Sequence, residues 1–92
     1  MPTPSPIVPS GVPHQIAELL QTLIRFDTTN PPGNERDCLS YIHRLLTEAG
    51  CDAQLVGRSP ERPNLIARLQ GQGDAPPLLL QGHVDVVPAD PR

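Results

Sequence analysis

Leu78-Leu79-Leu80-Gln81-Gly82-His83-Val84-Asp85-Val86-Val87-Pro88 says more about architecture than any other part of this 92-residue chain. Three consecutive leucines between Pro77 and Gly82 read as a strand buried on both faces, as in sheets covered by helices on each side. His83 then stands where the strand leaves the sheet for a cleft. Residues at i and i+2 of an extended chain point the same way, so Asp85 is expected beside His83. A carboxylate in that position holds one imidazole nitrogen and leaves the other, made more basic, to face a metal ion. The simpler alternative is a histidine satisfied by a backbone carbonyl at a strand end. The pair alone does not decide between them: with three histidines and Asp at about 5 % of residues, chance supplies a His-x-Asp roughly once in seven such chains.

Upstream of the leucines, Gly71 and Gly73 ahead of Ala75-Pro76-Pro77 mark a turn. Asp52 to Val56 and Asn64 to Gln70 are short strand candidates joined by a Gly/Ser/Pro loop from Gly57 to Pro63. Two helices precede them. From His14 to Phe26, Ile16, Leu19, Leu20, Leu23 and Ile24 recur at helical spacing and predict one buried stripe. Cys38, Leu39, Ile42, Leu45, Leu46 and Ala49 form a second stripe, with Asn34 able to cap that helix, Glu35 and Asp37 in its first turn and Gly50 as a left-handed stop. Between the helices, Pro31 and Pro32 lack amide donors and Asn30 is pushed towards extended geometry, so Thr28 to Gly33 reads as helix punctuation. Residues 1–13, with Pro2, Pro4, Pro6, Pro9 and Pro13, form a flexible lead, and residues 14–92 the folded part. The expected class is α/β: two N-terminal helices followed by three strands.

Composition removes several functions. A net charge of -3 and 2 % aromatic residues, with no Trp, leave neither an electrostatic footprint nor a stacking platform for nucleic acid. No apolar run approaches a membrane span, and the opening residues lack the basic start and apolar centre of a secretory signal, so a cytoplasmic location is expected. Cys38 and Cys51 are not in a Cys-x-x-Cys arrangement and read as reduced structural residues. His14 and His43 have no metal-like spacing, and Glu18, Glu35, Glu48 and Glu61 read as helix-surface, first-turn or loop charges.

The string Phe26-Asp27-Thr28-Thr29-Asn30-Pro31-Pro32-Gly33-Asn34-Glu35, taken together with Gly82-His83-Val84-Asp85, resembles the zinc-dependent family of acetylornithine deacetylase, succinyl-diaminopimelate desuccinylase, aminoacylase-1 and glutamate carboxypeptidase. The resemblance runs from Gln15 to Asp90 and matches only the N-terminal part of enzymes several times longer. It implies the incomplete start of a zinc-exopeptidase-like catalytic domain. His83 would be a ligand of one of two Zn2+ ions, with Co2+ able to stand in, and Asp85 the residue that orients it. A bridging aspartate, a general-base glutamate beside a glutamate ligand, a further acidic ligand and a distant histidine would all lie beyond Arg92. The metal pair would lower the pKa of a water and polarise the scissile carbonyl of a peptide or an N-acyl amino acid. A homodimer is compatible with that family.

The expected function is therefore that of an N-terminal fragment of a zinc-dependent amide hydrolase, a peptidase or deacylase. Alone it should be inactive, because a catalytic zinc site needs about three protein ligands and an open position. The alternative is a non-catalytic truncated module that docks on a full-length subunit or another partner. A small independent α/β binding domain with an accidental motif is a third reading. A strand made for burial on two faces, with two helices for cover, should also leave apolar surface exposed.

Overall fold

The structure, a computed structural model, describes residues 12–90. Residues 1–11, most of the expected flexible lead, lie outside them. Helix α1 spans Val12–Ile24, beginning two residues before its expected start. Pro13 is no obstacle, since the amide it lacks would have no partner in a first helical turn. The spacing of its apolar residues is helical as predicted, but its stripe is not buried: Ile16 is 61 % and Ile24 70 % exposed. Amides of Arg25 and Phe26 bond to the carbonyls of Thr22 and Leu23 and wind the last turn down.

Helix α2, Arg36–Glu48, buries Cys38 and lies across a β-hairpin. Phe26 packs on its Tyr41, ring centroids 5.7 Å apart. Gly50, at φ +98°, ends it. The Gly50 amide bonds to Thr47 O and the Cys51 amide to Leu46 O, which is the paired closure expected when a left-handed glycine follows a helix. The N-terminus differs from expectation. Glu35, not Asn34, is the capping residue and makes no side-chain cap bond, because its carboxylate is committed elsewhere.

Strands β1 (Asp52–Val56) and β2 (Asn64–Arg68) pair antiparallel, with Asp52 opposite Arg68 and Val56 opposite Asn64. His43 Nε2 donates to Ala53 O at 3.0 Å and ties α2 to β1. Both cysteines are free, and burial pushes the Cys38 thiol pKa up, so it remains a neutral core thiol.

The sequence pattern predicts a third strand that is absent from the described residues: Leu78 to Leu80 join no sheet and are 83–85 % exposed. Likewise β2 stops at Arg68, short of the expected Gln70. A triple-apolar run needs cover on both faces and a hydrogen-bonding neighbour on at least one edge. Here α2 covers the hairpin alone, and a cleft of about 1080 Å³ lined by Leu65, Ala67, Leu80 and His83 lies between β2 and the leucine segment. What remains is an α/β unit of two helices and one two-stranded sheet. No helix among the described residues is long and apolar enough to cross a membrane.

Candidate metal centre

The turn after α1 and the His-x-Asp segment meet. Thr28 Oγ1 donates to Val84 O at 2.7 Å. The Val86 amide donates to Thr28 O at 3.1 Å and the Asn30 amide to Val86 O at 2.8 Å, giving a single parallel bridge between Thr29 and Val86. Thr28, 4 % exposed, is one of the few buried polar residues among those described. Thr28 to Gly33 is thus more than punctuation between helices: it is the docking edge for residues 84–86. The Asn30–Pro31 and Pro31–Pro32 peptides are both cis. Asp27 tightens the entry to this turn by accepting the Thr29 amide at 3.1 Å. Hydrogen bonds from the Thr29 side chain and amide hold its carboxyl below the ordinary range.

On that edge the two side chains of the His-x-Asp pair face each other. His83 Nδ1 lies 3.0 Å from Asp85 Oδ1 and 2.9 Å from Asp85 O. Both partners are acceptors when the carboxyl is ionised, so Nδ1 carries the proton and donates. Asp85 is held ionised below its ordinary pKa by the Asn30 hydrogen bond first, then by the hydrogen bond and charge of His83 and by the charge of Arg62. In the neutral ring Nε2 is then the unprotonated nitrogen, on a side chain that is 82 % exposed at the cleft.

The second oxygen of Asp85 has its own partners. Asn30 Nδ2 donates to Oδ2 at 3.2 Å, and Arg62 Nη2 stands 3.7 Å from the same atom. Arg62 is itself fixed: its Nε and Nη2 donate to the Glu35 carboxylate at 2.9–3.2 Å, which raises the guanidinium pKa further. Glu35, expected as a solvated first-turn charge, is only 6 % exposed. A carboxylate removed from water needs such a partner. Gly33 leaves room for it, since a Cβ there would sit 2.6 Å from Arg62 Nε, on a backbone at φ +82°.

These residues fit one share of a metal site and no more. His83 offers a single outward imidazole nitrogen of the correct tautomer, with Asp85 behind it, the arrangement commonly found around metal-ligating histidines. Among the described residues no three His, Cys, Asp or Glu side chains converge to hold an ion. His14 pairs with Glu18 on the exposed face of α1 at 3.0 Å, and His43 is used structurally. The residues that sequence reasoning passed over are Asn30, Arg62 and Glu35. Only their presence in a family-like string marked Asn30 and Glu35, and nothing marked Arg62.

Curated proteins resemble most of this chain. Over 79 residues it is 33 % identical to the N-formyl-4-amino-5-aminomethyl-2-methylpyrimidine deformylase of Halalkalibacterium halodurans, covering 83 % of this chain and 18 % of that protein. Over 71 residues it is 35 % identical to a probable succinyl-diaminopimelate desuccinylase of Staphylococcus epidermidis, covering 77 % of this chain and 16 % of that protein. No family model matches the chain, and no solved structure gives a significant match. The chain spans less than a fifth of the length of the relatives it matches, and both are named for the removal of an acyl group, formyl in one and succinyl in the other.

Proposed function

We propose that this chain is the opening segment of the catalytic domain of a metal-dependent amide hydrolase that removes an acyl group from an amine, with zinc as the metal. The observation that carries the reading is the His83–Asp85 pair, with Nδ1 held by the carboxylate at 3.0 Å and Nε2 left to coordinate. His83 would supply one ligand. The remaining ligands and a general base would come from parts of the protein outside residues 12–90. When bound, the metal supplies Lewis-acid polarisation of the scissile carbonyl and a water of lowered pKa.

What these residues contribute is orientation. Asp85 fixes the imidazole plane and its tautomer, and raises the basicity of Nε2. Thr28 anchors the backbone on which both sit. An N-acyl amine is the substrate class favoured by the relatives' names, and a peptide is the competing one. A cytoplasmic enzyme, dimeric in its complete form, belongs to the same proposal, as does inactivity of the 92-residue chain alone. The exposed leucines at 78–80 and the exposed stripe of α1 also favour a second reading, a non-catalytic module that docks on another subunit.

The test uses the complete protein. His83→Ala should lower zinc content by one equivalent and abolish most hydrolysis of N-formyl and N-succinyl amines, and a chelator should do the same to the unaltered protein until zinc or cobalt is restored. Full zinc content and full activity in His83→Ala would refute the ligand assignment.

A further inference from the structure

The two oxygens of Asp85 have separate partners. Oδ1 faces His83 Nδ1 at 3.0 Å, beside the Asp85 carbonyl oxygen at 2.9 Å, while Oδ2 accepts from Asn30 Nδ2 at 3.2 Å and lies 3.7 Å from the Arg62 guanidinium. A carboxylate held by one oxygen only can rotate about its terminal torsion, which is broad and roughly two-fold. It would then offer either oxygen, or neither, to the imidazole. With Oδ2 pinned from the far side, Oδ1 is left aimed at Nδ1. Asn30 is itself fixed to the same segment, its amide bonded to Val86 O at 2.8 Å.

We propose that Asn30 is a positioning residue: by pinning Asp85 Oδ2 it aims Oδ1 at His83 and so selects the ring tautomer with the proton on Nδ1 and the lone pair on Nε2. Arg62, held by the buried Glu35 carboxylate at 2.9 Å, backs the same oxygen with charge and sets its approach direction. The selection is made in the metal-free chain. Its consequence for metal capture rests on the function proposed above: a ring that populates the other tautomer presents a protonated Nε2, and a ligand nitrogen must be unprotonated.

The test is the ring-nitrogen spectrum of His83 in the full chain without metal, above the imidazole pKa, where pyrrole-like and pyridine-like nitrogens give separate 15N shifts. The unaltered chain should show protonated Nδ1. Asn30→Ala and the near-isosteric Asn30→Asp, which has no donor for Oδ2, should each raise the share of the tautomer protonated at Nε2, in part only, since the Asp85 carbonyl 2.9 Å from Nδ1 still accepts the Nδ1 proton. Thr28→Val, which removes a bond to Val84 O without touching Asp85, should leave the tautomer unchanged.

Zinc titration of the same proteins is a separate readout. An outer partner of a ligating histidine is worth about 10–100-fold in affinity, and Asn30, one bond further out, should cost up to about 10-fold. A tautomer that responds to Asn30 in a chain that does not bind zinc would keep this proposal and remove the metal reading. An unaltered ring already protonated at Nε2, or an Asn30→Asp ring identical to it, would overturn the proposal. So would equal effects of Thr28→Val and Asn30→Ala, or loss of the resolved amide signals of residues 84–86 in both Asn30 variants, because Asn30 would then be only holding the chain together.

Discussion

Replacing Thr28 by Val should loosen the junction between the two halves of the site while leaving the rest of the fold alone. Val keeps the β-branched shape of a residue that is 4 % exposed, so no cavity opens and no rotamer changes. What is lost is the hydrogen bond from Oγ1 to Val84 O at 2.7 Å. One such bond contributes about 1 kcal/mol net, and a little more where its acceptor is left buried and unpaired. With RT at about 0.59 kcal/mol, that is roughly a five-fold increase in the population in which residues 84–86 have come away. Amide hydrogen exchange reads this directly, because the amides of Asn30 and Val86 both donate across the junction. Their protection should fall about five-fold, and the amides of the hairpin, which opens independently, should not change. Unchanged exchange at Asn30 and Val86, or an equal fall at every amide of β1 and β2, would refute a local anchoring role for Thr28.

Gly33→Ala combines a left-handed backbone at φ +82° with a Cβ 2.6 Å from Arg62 Nε. The backbone component alone costs about 1–2 kcal/mol, so urea unfolding should move to a lower midpoint, and an unmoved midpoint would mean that Gly33 is not held in that conformation. The Asp27 carboxyl, lowered chiefly by the Thr29 side chain, should titrate below the ordinary 3.8. Because the folded value is depressed, its support of the turn is complete above that pH and is lost as the pH falls through the lower folded value. Thr29→Val should bring the carboxyl resonance of Asp27 back towards the ordinary titration. Leu79→Ser with Leu80→Ser should reduce binding of a hydrophobic dye without altering the far-ultraviolet circular dichroism, since surface changes away from packed features stay within about 0.5 kcal/mol; undiminished dye binding would place the accessible apolar surface elsewhere.

Local features were legible in the sequence where the cause is local. The spacing of Cys38, Leu39, Ile42, Leu45 and Leu46 and the stop at Gly50 describe α2 closely, because helix periodicity and a left-handed terminator need only neighbouring residues. The apolar stripe of α1 and the run Leu78 to Leu80 were legible as surfaces that want cover, and sequence patterning records that demand whether or not the cover is present. That is why a strand was expected where none is formed. His83 beside Asp85 could be read from a two-residue spacing. Glu35 and Arg62 could not, because they are 27 residues apart and neither sits in a pattern that differs from surface charge. Asn30 was hidden by its neighbours: followed by two prolines, it has an obvious reason to be in a turn, and that reason conceals its bond to a carboxylate 55 positions away.

The bond between Thr28 and Val84 joins residues 56 positions apart, so docking closes a loop containing α2 and the hairpin. Closing a flexible loop of that length costs about 3–4 kcal/mol in chain entropy, less to the extent that α2 and the hairpin have already shortened it. The four hydrogen bonds that span the junction, at about 1 kcal/mol each, return a similar amount. Because α2 and the hairpin have already shortened the loop, the balance lies on the closed side, with the open ring as the minor state. A ligand that engages only the closed ring, at a free concentration 100 times its dissociation constant, adds about 2.7 kcal/mol to the closed side, about a hundred-fold in the closed-to-open ratio.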